Sequence, residues 1–310
     1  MDISSESVKT PNGAKSYVIE TKSLTKRFAN KVAVNCVNMH VERGAIYGLI
    51  GKNGAGKTTA MKMLLGILPP TEGEITLFGS SDLANERKRI GSLIEAPGIY
   101  NNCTAKENMK RFAILSGGTD EEITDLLKLV GLGDVGNKKA GAFSLGMKQR
   151  LGIAISLIGS PELLILDEPI NGLDPAGIKE IRDLILKLNK ERGVTFMISS
   201  HLLDELGKIA TDYGIINDGK LVEEISASEL AARCRDGLKI VVDDVEKAVA
   251  LLEGKGFTDY KVKKGVLVLH EGIDRSAEIN TLLVSGGLKV SELSVHSNGF
   301  EGYFIKRLGH

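Results

Sequence analysis

At 310 residues with 42% hydrophobic side chains, the chain has apolar surface for one large globular domain and a smaller one, which excludes disorder as its main state. Lys+Arg and Asp+Glu are 40 each, so no global basic field draws nucleic acid or an anionic bilayer, and no nucleic-acid partner is expected. Cys36, Cys103 and Cys234 stand far apart with no Cys-x-x-Cys pair, which argues against a disulfide framework or a zinc site and reads as reduced thiols of a cytosolic protein.

Residues Met1–Ser16 are polar and lack the apolar core of a secretory signal, so this terminus is expected to be loosely ordered. From Tyr17 to Glu229 short apolar strands alternate with helical segments, the pattern of an α/β fold with a mainly parallel sheet covered by helices. Val41–Ile50 reads as a buried strand, with Ala45–Ile50 drawn first, and Thr58–Leu65 carries apolar residues at helical spacing. Between them Gly51-Lys52-Asn53-Gly54-Ala55-Gly56-Lys57-Thr58 fits a glycine, four residues, then Gly-Lys-Thr. That context predicts a nucleotide binder. The backbone at Gly51, Asn53, Gly54, Ala55 and Gly56 would converge on phosphate oxygens, Lys57 would reach the terminal phosphates and Thr58 would offer its hydroxyl to Mg²⁺. Thr59 completes the set, where the helix points its positive end at the same anion.

Ala105–Gly133, with Ile123, Leu126, Leu127 and Val130, reads as a helical subdomain inserted in the sheet. The apolar run Leu151–Ile158 stops at Gly159-Ser160-Pro161, well short of the roughly eighteen residues of a membrane span. Leu163–Leu166 is a strand ending in Asp167-Glu168, and carboxylates at a strand's carboxyl end belong where α/β sheets bind ligands. Asp167 can hold Mg²⁺ through its water shell, and Glu168 can polarise a water for in-line attack on a γ-phosphate. Strands at Thr195–Ser199 and Gly214–Ile216 follow. After Ser226, and a linker at Ala227–Gly237, residues 237–310 read as strand, helix, hairpin around Lys264-Gly265, helix and strand. That βαββαβ order is the split βαβ of a small ferredoxin-like α+β domain. No motif of chemistry falls there, so it reads as a docking or stabilising module.

Taken in order, these motifs resemble those of an ATP-binding subunit of an ABC transporter. Leu163–Pro169 matches the family's Walker B strand with its Glu-Pro, Asn171-Gly172-Leu173-Asp174-Pro175 its D-loop, and Ser200-His201 its switch histidine. Phe143-Ser144-Leu145-Gly146-Met147-Lys148-Gln149-Arg150 occupies the place of its signature motif. The resemblance spans roughly residues 17–225 and implies the P-loop ABC-type nucleotide-binding fold for a domain of residues 17–229. It also implies that two copies, or one copy and a paralogue, sandwich two ATP molecules. Ser144 and the backbone at Gly146 then meet the γ-phosphate held by the other copy, with Asp174 of the D-loop on the nucleotide side. By the same resemblance His201 contacts the γ-phosphate beside Glu168, and Phe28 stacks on adenine, a core phenylalanine being the alternative.

Three positions depart from the family. Leu145 stands where glycine is usual and Met147 where glutamine is usual; Glu95 occupies the place of the Q-loop glutamine. As a carboxylate, Glu95 joins Thr58 and Asp167 as a candidate metal ligand, the alternative being a solvated loop residue. Glu95, the stretch Ala96–Asn108, the altered signature and the appended domain resemble the subgroup that exports bacitracin, lantibiotics and related antimicrobial peptides. The implied function is an ATP-hydrolysing, energy-coupling subunit with ATP and Mg²⁺. It would sit at the cytoplasmic face of the membrane on a separate permease that contacts the Q-loop and Ala96–Asn108. Alternatives are a soluble ABC ATPase acting on ribosomes, DNA or metal-cluster assembly, and an exporter ATPase for a lipid or drug. A degenerate module without turnover is disfavoured because Lys57, Asp167, Glu168 and His201 are all present.

Overall fold

The computed structural model describes residues 16–263, 265–296 and 300–308; the terminus up to residue 15 and the hairpin residue Lys264 lie outside the described residues. By its internal contacts the chain divides into two compact units, Met1–Ala227 and Ser228–His310.

In the first unit β1 (Tyr17–Phe28) pairs antiparallel with β2 (Lys31–Val37), β3 (His40–Glu42) and β5 (Glu72–Leu77). A second sheet combines β4 (Ile46–Ile50), β6 (Ile90–Leu93), β7 (Leu163–Asp167), β8 (Thr195–Ser200), β9 (Asp212–Asn217) and β10 (Lys220–Ser226) in the order β10-β9-β4-β8-β7-β6. All neighbours in it are parallel except β10 on β9. Every residue of β4, β7 and β8 is buried, as expected of parallel strands covered on both faces. The run Val41–Ile50 is therefore two strands and not one. Arg43 and Gly44, the latter at φ +79°, turn the chain so that β3 serves the antiparallel sheet and β4 the parallel one.

The helices of this unit are α1 (Lys57–Leu64), α2 (Leu83–Glu86), α3 (Ala105–Ser116), α4 (Asp120–Leu129), α5 (Leu145–Ser156), α6 (Pro175–Arg192) and α7 (Leu203–Leu206). Their ends are written in the sequence. Thr104 and Glu107 form a reciprocal capping box at α3, and Gly117 closes the helix in the left-handed region. Asp174 caps α6 ahead of Pro175. The inserted segment thus comprises α3 and α4, which bury Met109, Ala113, Ile123 and Leu126.

The second unit begins within α8 (Ala227–Arg233), a helix where a linker was expected. Ala-Ser-Glu-Leu-Ala-Ala-Arg is rich in strong helix formers. Then come β11 (Gly237–Val242), α9 (Val245–Glu253), β12 (Tyr260–Lys263), β13 (Val266–Leu269), α10 (Ser276–Ser285), β14 (Val290–His296) and α11 (Phe300–Leu308), the last without a counterpart in the sequence reading. The strands form one antiparallel sheet in the order β12-β13-β11-β14. Leu238, Ile240, Leu252, Leu267, Leu269, Ile279 and Leu283 make its core.

One buried polar tie braces the first unit. The Tyr47 hydroxyl donates to Glu224 Oε1 at 2.8 Å, and the same carboxylate accepts from the His40 backbone N–H at 2.8 Å. Burial, then the neighbouring Glu224 charge, raises the Tyr47 phenol well above its usual value near pH 10. A raised folded value means that the neutral phenol stabilises the fold at every pH below about 10. This contribution is lost as pH rises through the higher folded value. In urea titrations, wild type is therefore expected to lose stability above about pH 10 by an increment that Tyr47→Phe lacks.

Candidate functional site

The phosphate loop bridges β4, at the centre of the parallel sheet, and α1. Gly56 takes φ +108°, and a Cβ there would stand 2.5 Å from the Ala33 carbonyl oxygen. A side chain is thus excluded both by conformation and by the close approach of β2. The result is an open cleft of about 400 Å³ whose wall includes Asn53, Gly54, Ala55, Lys57, Thr58, Thr59 and Glu168. The unpaired N–H groups that open α1 add positive potential to it.

Lys57 is only 6% exposed. Its ammonium donates to Gly51 O at 2.6 Å and lies 3.4 Å from both Lys52 O and Glu168 Oε1. A buried cation is thus held at the loop by carbonyls and one carboxylate. Thr58 Oγ1 donates to Asp167 Oδ2 at 2.7 Å, which puts a hydroxyl and a buried carboxylate side by side.

Beside them, β8 contributes a residue that the motif reading did not include. Ser199 Oγ donates to Asp167 Oδ1 at 2.5 Å and accepts from the Glu168 N–H at 2.9 Å. One hydroxyl therefore fixes both acids. Glu168 sits at φ +49°, an uncommon conformation for a non-glycine residue, and its N–H clamp to Ser199 holds it there. The only hint in the sequence is that the apolar run of β8 ends in two serines ahead of His201. Ser199→Ala should leave a buried Asp167 acceptor without its partner, lowering the unfolding free energy by about 1–3 kcal/mol. Urea melts of the two proteins would measure this.

His201 Nδ1 is 2.8 Å from Glu168 Oε2, so the expected neighbours do meet. Phe28 is 48% exposed at the end of β1 and lines the cleft, with the Lys26 ammonium 5.5 Å from its ring centroid. The core alternative for this residue is excluded. Lys31, Ala33 and Lys52 also line the cleft, and sequence reading passed over them because they belong to no motif.

Other expected site residues lie outside that wall. Ser144 caps α5, accepting from the Met147 N–H at 3.2 Å, and Asp174 caps α6, accepting from the Gly177 N–H at 3.1 Å. Leu145 is 49% exposed. A Cβ placed on Gly172 would stand 3.2 Å from its Cδ2, so the signature segment packs on the D-loop of its own chain. Glu95 does not join Thr58 and Asp167: its carboxylate is bonded to Lys62 Nζ at 2.6 Å.

A glycine-rich loop from a central parallel strand into a helix, with two acids ending the next strand but one, defines a P-loop nucleotide-binding ATPase. Comparison with known proteins makes this more specific. Residues 34–171 match the family model described as ABC transporter. The bacitracin transport ATP-binding protein BcrA of Bacillus licheniformis is 44% identical over 300 residues, covering 95% of this chain and 98% of that protein. The lantibiotic transport ATP-binding protein SrtF of Streptococcus pyogenes is 46% identical over 207 residues, 67% of this chain and 90% of its own length. Among solved structures, cbiO1 from Clostridium perfringens, part of the ABC transporter complex cbiONQ, superposes with a TM-score of 0.64 at 27% identity, covering 70% of this chain and 92% of that one. A dimeric post-hydrolysis state of the ATP-binding cassette MJ0796 with ADP and Pi superposes at 0.60 and 25% identity, covering 67% and 98%. The chain belongs to the ABC transporter ATP-binding protein family and is an ATPase subunit of that class.

Proposed function

We propose that this chain is the energy-coupling ATPase of an exporter of antimicrobial peptides of the bacitracin or lantibiotic type. The observation that carries the finer reading is the near full-length likeness to a bacitracin transport ATP-binding protein, supported by the lantibiotic relative.

The geometry of the cleft supports the following roles. Lys57 and the loop N–H groups bind the terminal phosphates in a pre-formed cradle, and Phe28 offers an exposed ring for adenine. The Thr58 hydroxyl and the Asp167 carboxylate are hard oxygen donors 2.7 Å apart, a set that fits Mg²⁺, which keeps waters and takes its other ligands from substrate phosphates. When bound there, Mg²⁺ supplies positive charge to the phosphate oxygens. Glu168 orients the attacking water and accepts its proton, while His201, in contact with Glu168, fixes that carboxylate and would contact the γ-phosphate beside it. Ser144, Gly146 and Asp174 act across a head-to-tail dimer, where the N-terminus of α5 meets the nucleotide of a second copy or of a paralogue.

Among the described residues no helix is long and apolar enough to cross a membrane. The permease is proposed as a separate chain that docks on Ala96–Asn108 and places this subunit at the cytoplasmic face. The C-terminal βαββαβ unit reads as a ferredoxin-like accessory module, supported by its sheet order. Expressed with its permease, the protein is expected to raise the inhibitory concentration of bacitracin or of a lantibiotic, and Glu168→Gln to abolish the increase. Equal inhibitory concentrations with and without the two proteins across a peptide panel would remove the peptide reading and leave an ABC ATPase for another substrate.

A further inference from the structure

His201 stands between β8 and α7 with its side chain 37% exposed, so the elements on either side, more than packing of its own, set where its ring lies. On one side Ser200 is buried, and its Oγ accepts from the Leu202 N–H at 2.9 Å. On the other, α7 has only four residues, too few to be stable without tertiary contacts. Two contacts fix it. Leu206 is buried against β4, where a Cβ at Gly48 would come within 2.6 Å of its Cδ2. Glu205 Oε2 accepts from the Arg182 guanidinium of α6 at 3.1 Å.

Arg182 is mounted on a well-held helix, since α6 runs 18 residues from its Asp174 cap and buries Ile181, Leu184, Ile185 and Leu188. Arg182 and Glu205 also border an apolar layer made by Pro169, Ile170, Ile185, Ile198 and Leu206. That layer underlies the residues just after Glu168 as well as the end of β8. Both charged side chains are mostly buried, so salt screens this pair less than a surface one. Glu205 has a second cation, Lys208 at 2.5 Å, but that lysine lies three residues on in the same segment. Lys208 first, and Arg182 after it, hold the Glu205 carboxyl below its usual range, so the acid is charged for both. Asp183, 3.8 Å from Arg182 Nε, is likewise on Arg182's own helix. Among these charged contacts only Arg182–Glu205 joins α6 to α7.

We propose that Arg182 is a positioning residue for hydrolysis: by clipping α7 to α6 through Glu205, it holds the His201 ring at 2.8 Å from Glu168 Oε2. Arg182 lies outside the wall of the nucleotide cleft. The inference rests on the reading of His201 as the partner of Glu168 in hydrolysis. Loss of the clip leaves Glu205 with Lys208 alone and frees α7 to shift about its Leu206 anchor, which widens the His201–Glu168 contact and leaves the phosphate cradle in place. Turnover should fall while ATP binding stays, because only groups that act on the attacking water are displaced.

The test uses the full chain as wild type, Arg182→Met, Arg182→Lys, Glu205→Gln and Lys208→Met, with Arg182→Met and Glu205→Gln also made in a His201→Ala background. Steady-state phosphate release gives kcat and KM for ATP with Mg²⁺. Hydrogen exchange of residues 201–207 without nucleotide reports how firmly the segment is held. Arg182→Met and Glu205→Gln are expected to speed that exchange and to lower kcat by about 2- to 30-fold, the range of coupling within one charged network. KM should stay within about two-fold of wild type. Arg182→Lys should recover part of kcat, since it keeps the charge and loses the fork, and Lys208→Met should leave kcat unchanged. In the His201→Ala background neither Arg182→Met nor Glu205→Gln should lower kcat further. Equal losses in both backgrounds, unchanged exchange, a loss carried in KM alone, no recovery in Arg182→Lys, or an equal loss in Lys208→Met overturns the positioning role. If urea melts show that Arg182→Met does not fold, Glu205→Gln, which keeps the shape of its side chain, decides the matter in the same two backgrounds. If His201→Ala turns over at the wild-type rate, the reading of His201 fails, and the exchange comparison still decides the clip.

Discussion

Replacing Glu168 by glutamine is expected to keep ATP bound and to slow steady-state hydrolysis by about 10²- to 10⁴-fold, the usual contribution of a positioned general base. Glutamine fills the same space and keeps the backbone N–H bond to Ser199, but its amide cannot accept the proton of an attacking water. The phosphate cradle is untouched, since Lys57 keeps its bond to Gly51 O. Because ATP is bound but not consumed, the variant should also accumulate a nucleotide-dependent dimer visible by size exclusion. His201→Ala should slow turnover less, because it removes a contact at Glu168 Oε2 and leaves the carboxylate in place. Phosphate release and equilibrium ATP binding measured on the same preparations separate the two effects. Hydrolysis at the wild-type rate in Glu168→Gln would move the base to another residue.

What the sequence disclosed and what it hid divide along the range of the interactions. The phosphate loop is legible because its chemistry is local: glycines, a lysine and a threonine at fixed spacing between a β-branched run and a helix. The buried strands β7 and β8 are legible for a similar reason, since parallel strands covered on both faces read as continuous apolar runs. Ser199 was not legible as a site residue, because it meets Asp167 from 32 positions away and only sheet pairing brings them together. Glu95 was found by its place in a motif, yet its partner Lys62 lies 33 positions back on a helix face that reads as an ordinary solvated one. The run Val41–Ile50 failed differently. Its apolar character is continuous in sequence, but the two halves are buried by two different sheets. Leu145, which stands where glycine is usual, packs in the fold against Gly172 of the D-loop, a contact between segments that the sequence does not show.

Lys57→Ala is expected to act on binding, weakening ATP affinity by about 10- to 150-fold. That range corresponds to the loss of one charge-assisted hydrogen bond of about 1.5–3 kcal/mol. The ammonium is buried and is already held by Gly51 O, close to Lys52 O and Glu168 Oε1. It needs little further desolvation or ordering when a phosphate arrives, so most of its interaction should appear as affinity. The same substitution removes the tie across the loop and leaves Glu168 without its cation, so some stability should be lost even without nucleotide. Thermal melts of the nucleotide-free proteins measure that part, and titration with a fluorescent ATP analogue measures the rest. Lys57→Arg sharpens the comparison. It keeps the charge but replaces a compact ammonium with a planar fork that does not fit between the loop carbonyls and Glu168, so affinity should fall here as well. If Lys57→Ala bound ATP as tightly as wild type, the phosphates would have to lie away from this loop. A loss of affinity in Lys57→Ala together with retained affinity in Glu168→Gln would place phosphate binding and water activation on separate residues of the same cleft.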